Sequence, residues 1–244
     1  MPNIFSDYRK HFHNHFGLAL IEKGQIDICY HRRDIVTLNN QSIAIFNPQQ
    51  VHQSYPKNAQ GYYVLFLDNQ WCNSIKKDYF FEKNIIEDKT VYLRLKLIFE
   101  DILIHASPTP EAALQEVMHY LFEDHANQNI QKEKELILKI KLWIEKQDET
   151  TLNVANMARF VGCNKSYLIR FFKKETGLTP QQYILNTKVN RAKELLLNYG
   201  QQLTLSDISI DSGFFDQSHL NRNFKNRFGT SPKIYKKVNI VQDK

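Results

Sequence analysis

The sequence predicts an α+β protein of two domains, and three observations predict it. Residues 1–90 hold short apolar or alternating runs cut by turn residues. From residue 91 onward the apolar spacing becomes helical. A basic amphipathic segment then occurs twice in the last third of the chain.

The first region has runs at 16–21, 25–30, 35–37, 42–46 and 61–67. They are separated by Lys23-Gly24, Arg32 to Asp34, Asn39-Asn40, Asn47-Pro48 and the stretch 57–61. Short, regularly spaced strands predict a small antiparallel barrel or double-sheet roll over residues 1–80, a shape that can enclose a ligand. Residues 91–105 form a mostly apolar helical pattern, broken at 107–110 by SPTP. Residues 111–124 place Leu114, Val117, Met118, Leu121 and Phe122 on one helical face. Two such helices either cover the barrel or pair with those of a second subunit. The polar stretch 126–131 is the expected linker between a first domain over 1–125 and a second over 132–240.

In the second domain, residues 133–147 resume a helix with Leu136, Ile137, Ile140, Trp143 and Ile144 as its stripe. Residues 151–161 carry a small packed face, including Ala155 and Ala158, followed by the turn Gly162-Cys163-Asn164. Residues 164–177, NKSYLIRFFKKETG, give a helix with Leu168, Phe171 and Phe172 below and a basic, hydrogen-bonding upper side. Shifted by 52 positions, residues 216–229 repeat it, with eight identities over the 18 positions 166–183. The helix-turn-helix motifs are therefore expected at 151–176 and 204–228. In the second, Leu203, Leu205, Ile208 and Ile210 make the packed face, and Gly213-Phe214-Phe215 is a turn one residue longer. Thr179-Pro180-Gln181-Gln182 opens a connecting helix running to about residue 198, and Ser231-Pro232 opens a short last one through Tyr235.

Charge agrees with a polyanion partner. Residues 1–130 carry −3 and residues 131–244 carry +9, making the overall +6. Cys29, Cys72 and Cys163 are too few and too far apart for a disulfide framework or a zinc pattern. Neither a signal-peptide core nor a membrane-length apolar run is present, so a cytoplasmic protein is expected. No cofactor is called for.

The runs TLNVANMARFVGCNKSYLIRFFKKETGLTPQQYI and DISIDSGFFDQSHLNRNFKNRFGTSPKIY resemble the double helix-turn-helix domain of the AraC/XylS family of bacterial transcription regulators. HFHNHFGLALIEKG and IAIFNPQQVHQSY are similar to the cupin-like sensor domain found in that family. The resemblance implies a sequence-specific regulator, expected to be an activator, that binds double-stranded DNA and contacts RNA polymerase. It would answer to a small-molecule effector or to homodimerisation through its first domain. By position in the matching runs, Lys165, Ser166, Ile169 and Arg170 would face bases in one major groove and Gln217, Ser218, Asn221 and Arg222 in the next. Their chemistry suits that: Arg forks to guanine, Gln and Asn pair with adenine, and Ile meets a thymine methyl. Lys173, Lys174 and Lys225 are expected on phosphates.

Cupin barrels gather imidazoles from an early HxH and a later Pro-x-x-x-His. Here His13, His15 and His52 are the candidates, as ligand-lining groups. Residues 11, 13 and 15 alternate, so on a strand their side chains share a face. Glu22 lies further from the HxH than the metal-binding pattern requires, and Gln50 stands where a glycine is usual. A metal is therefore not expected. The alternative reading is a metal-dependent cupin enzyme fused to a DNA-binding domain.

Overall fold

The computed structural model describes residues 10–58, 61–77, 79–105, 111–126, 135–147 and 151–240, of which the side chains of 103–105 and 237–240 are left aside. The expected break at 107–110 and, apart from Ala126, the expected linker at 126–131 lie outside those residues. The chain divides into two compact units, one over Phe12–Ile130 and one over Gln131–Ile240, with the segment ending at His11 grouped with the second.

The first unit begins with six strands: β1 (Phe16–Lys23), β2 (Ile26–Tyr30), β3 (Ile35–Leu38), β4 (Ile43–Phe46), β5 (His52–Pro56) and β6 (Gly61–Leu67). Helix α1 (Asn69–Ile75), a two-residue strand β7 (Ile85–Ile86), and helices α2 (Lys89–His105) and α3 (Glu111–His125) follow. The strands form two antiparallel sheets, β6-β1-β4-β7 and β3-β2-β5. This is the double-sheet form of the expected roll.

Strand β1 explains the architecture. Six successive residues from Phe16 to Ile21 are buried, so both of its faces are covered. One face, through Phe16, Leu18 and Leu20, joins Ile43 and Ile45 and packs under Val91, Leu95, Phe99, Leu114, Met118 and Phe122 of α2 and α3. The other, through Ala19 and Ile21, meets Ile26, Ile28, Tyr30, Leu38, Ala44 and Phe46 between the sheets. Burial on both sides is why this strand reads as a continuous apolar run and not as an alternation. Of the two roles open to the helices, covering the roll is the one these contacts fill.

The second unit is all helical among the described residues: α4 (Glu135–Lys146), α5 (Val154–Phe160), α6 (Lys165–Thr176), α7 (Pro180–Tyr199), α8 (Leu205–Asp211), α9 (Gln217–Phe228) and α10 (Pro232–Ile240). The last helix runs beyond Tyr235, where the sequence suggested its end. Ile210 is also unlike its expectation. It is 63% exposed and not part of the packed face, because the short α8 can turn only one side inward and Ile208 occupies it.

The duplication extends past the recognition helices. Ile137, Ile140 and Ile144 of α4 are buried, and so are Val189, Ala192 and Leu196, 52 positions later in the back half of α7. At its front, Pro180 and Tyr183 correspond to Pro232 and Tyr235 of α10. Helix α7 thus closes the first copy and opens the second. Its start is fixed by a reciprocal cap, Thr179 accepting from Gln182 N–H and Gln182 from Thr179 N–H, with proline at the first turn.

Candidate nucleic-acid interface

Each recognition helix is anchored from below by the same pair of rings. Phe172 meets Tyr183 edge-on at 5.3 Å and 84°. Phe224 meets Tyr235 at 5.3 Å and 76°. Both phenylalanines are fully buried, as are Leu168 and Leu220 one turn earlier. Those four side chains fix which way each helix faces. Both helices start on a side-chain cap: Asn164 accepts from Tyr167 N–H at 2.8 Å, and Asp216 from His219 N–H at 2.7 Å. Both end in a left-handed glycine, Gly177 at φ 84° and Gly229 at φ 72°.

With the undersides pinned, the opposite faces are open. Lys165, Ser166, Ile169 and Arg170 are exposed on α6, as are Gln217, Ser218 and Arg222 on α9. Asn221 is half-buried, and Lys173, Lys174 and Lys225 are exposed toward the helix ends. Phe171 and Phe228, in contrast, lie partly covered against Tyr167 and against Phe224 and Tyr235.

The preceding helix is locked to each reading helix by a tight turn. In the first copy Gly162 N–H donates to Arg159 O and Cys163 N–H to Ala158 O. In the second, Gly213 N–H donates to Ile210 O and Phe214 N–H to Ser209 O, the same pattern 51 positions on. Lys188 Nζ of α7 holds the Gly213 carbonyl at 2.7 Å. Behind α9, burial, with the Arg227 charge adding to it, pulls the Lys193 ammonium down to about 8.

The histidines near the start of the chain gather differently from the expectation. The ligating atoms of His11, His13 and His52 lie within 4.8 Å of one another, so His11 stands where His15 was expected. The cause is local: β1 does not begin until Phe16, and a bend at Asn14-His15 breaks the alternation that would have carried His15 to the same face. The His13 and His52 rings are 5.2 Å apart, with Phe66 at 4.4 Å from His13 and Phe46 at 4.5 Å from His52. His52 Nδ1 is 3.0 Å from the Gln50 carbonyl, an acceptor, so the bond is one that Nδ1–H donates. A concavity of about 570 Å³ elsewhere in the first unit is lined by Lys23, Gln25, Asn39, Asn40 and Asn58 and includes none of these rings.

An antiparallel roll and two matched helix-turn-helix motifs in one chain define a class of two-domain DNA-binding proteins. The chain belongs to the AraC family: residues 5–138 match the AraC-like ligand binding domain and residues 157–237 match a helix-turn-helix domain. It is 25% identical over 243 residues to YbfI of Bacillus subtilis, an uncharacterized HTH-type transcriptional regulator, covering 89% of this chain and 82% of that one. Against the Msm operon regulatory protein of Streptococcus mutans, identity is 32% over 113 residues, 46% of this chain and 40% of that protein's length. The fold is similar to that of an apo ToxT variant from Vibrio cholerae, with a TM-score of 0.65, 14% identity, and coverage of 94% and 91% of the two chains. No helix among the described residues is long and apolar enough to cross a membrane.

Proposed function

We propose that this protein is a sequence-specific transcription regulator, acting as an activator in the cytoplasm, whose helices α6 and α9 enter neighbouring major grooves of double-stranded DNA. The observation that carries the reading is the paired one: two arginine-bearing faces in the same helical register, each backed by a buried Phe in edge-on contact with a Tyr. Lys165, Ser166, Ile169 and Arg170 read bases in one groove and Gln217, Ser218, Asn221 and Arg222 in the other. Lys173, Lys174 and Lys225 hold phosphates, setting affinity and register without reading sequence.

We take the domains as 1–125 and 132–240, joined by 126–131; the boundary between the two compact units, at Ile130–Gln131, supports the placing of the junction. The first domain takes a small-molecule effector at the ring cluster of His13, His52, Phe46 and Phe66, and supports homodimerisation. Its occupancy changes how the second domain meets DNA or RNA polymerase. A related fold, ToxT, has been solved with an unsaturated fatty acid bound, which is a precedent for a small ligand in such a protein.

Footprinting on a duplex selected from a random library tests the reading. Protection over two adjacent major grooves is expected, and loss of sequence preference at one groove for each of Arg170→Ala and Arg222→Ala. Unchanged binding by both variants would remove the assigned readers. A second reading rests on the 4.8 Å grouping of His11, His13 and His52, a set able to hold a divalent metal. Stoichiometric zinc, iron, manganese or nickel in purified protein, lost in His13→Ala/His52→Ala, would favour it.

A further inference from the structure

The hydrogen bonds around the two turns show where the copies differ. From α5 to α8 the offset is 51: Arg159 corresponds to Ile210, Gly162 to Gly213, and Cys163 to Phe214. From the caps onward it is 52: Asn164 corresponds to Asp216. One residue has no counterpart in the first copy, and it is Phe215.

That extra residue is not used by the core. Phe214 takes the inward position, 4% exposed, and meets the His219 ring edge-on at 5.2 Å. Phe215 is 92% exposed, far more than any other large apolar side chain among the described residues. It stands immediately before the N-cap of α9, two and three positions ahead of Gln217 and Ser218. The N-terminal end of a recognition helix is the part that meets base edges. A bare phenyl ring in water is unfavourable in the free protein, so its place at this end points to contact made when the groove is filled.

We infer that Phe215 is a specificity residue of the second head, pressing its ring on a thymine C5-methyl at the edge of the major groove occupied by α9. This rests on α9 being a reading helix. The thymine methyl is the apolar feature that the major groove offers, and it marks the A·T pair without any hydrogen bond. The first head, with the turn one residue shorter, has no equivalent, so the half-site bound by α9 should show a thymine preference that the other half-site lacks.

The test uses the full chain and a randomised duplex library. Wild type, Phe215→Ala, Phe215→Leu and Arg222→Ala are each used to select sequences, and affinities are then measured on the duplex enriched by wild type. Replacing each thymine in turn by uracil removes only the methyl. Wild type should weaken about fourfold at one thymine in the α9 half-site, the factor that losing burial of one methyl-sized group, about 0.8 kcal/mol, corresponds to. Phe215→Ala should bind about tenfold more weakly and be indifferent to that uracil, while Phe215→Leu keeps part of the preference. Thermal midpoints of the Phe215 variants should match wild type, since the ring is exposed. If Arg222→Ala alters selection but Phe215→Ala alters neither selection nor affinity, the inference fails and the reading of α9 stands. If neither variant matters, both fail. Loss of polymerase-dependent transcription by Phe215→Ala with DNA binding intact would overturn it in favour of a protein partner.

Discussion

The two helix-turn-helix copies share the buried Leu and Phe anchors of their reading helices, and at the surface they share a Ser, an Arg and a Lys but differ at the positions between. Leu168 and Leu220, and Phe172 and Phe224, coincide in identity and burial, while Tyr183 and Tyr235 coincide in identity, the first buried and the second partly buried. At the surface, Lys165 faces Gln217, Ile169 faces Asn221, and the turn of the second copy is a residue longer. The helices differ in charge near their ends as well: Glu175 in the first copy corresponds to Arg227 in the second, whose charge acts on Lys193. The same anchor residues pin each helix from below while neighbouring surface positions differ. One scaffold can therefore recognise an asymmetric site.

The strongest way to break this comparison is through the core. Phe172→Ala and Phe224→Ala should each cost about 3–5 kcal/mol of unfolding free energy, the range for removing a buried ring. Urea denaturation measures both, and a large imbalance would mean that the copies are not equivalent inside. Next come the readers. Arg170→Ala and Arg222→Ala should each cost about 1–3 kcal/mol in binding, with the loss of preference confined to one groove apiece.

Lys193 separates the copies by pH. Its folded value of about 8 lies below the ordinary 10.5, so between those values the unfolded chain holds a proton that the folded one has released. Stability from this group is flat below pH 8 and rises as pH climbs through the window, by on the order of 1 kcal/mol from pH 7.5 to 9.5. Thermal unfolding of Lys193→Met should lack that rise, whereas Lys141→Met, at the equivalent place in the first copy, should keep it. The smallest effect is expected at the caps. Asn164→Ala and Asp216→Ala should each cost about 1 kcal/mol, and nearly equally, as read by the same denaturation curves.

The helical half was legible because its signals are local. Apolar spacing, capping residues and terminal glycines each act within a few residues, and the repeat doubled every one of them. Strand β5 was missed because its five residues, HQSYP, are polar, and its place is fixed by pairing with β2. Helix α1 is one short element whose start depends on Asp68 accepting from Gln70 and Trp71 N–H, and β7 is two residues that exist only against β4. Among the histidines the signal was present but its geometry was not. Alternation holds on a strand, and the bend at Asn14-His15 exchanged His15 for His11. Ile210 misled for a related reason, since apolar identity alone does not say which side of a seven-residue helix has a neighbour.

Because α7 belongs to both copies, its length sets more than a distance. Each residue added to this 20-residue rod would advance the second head by about 1.5 Å and also swing it by about 100° around the rod's axis. Under the proposed two-groove reading, most insertions would aim one head away from the duplex. Only additions near whole numbers of turns would then keep both heads on it, so target sites would be expected to diverge freely in letters but only in quantised steps in spacing.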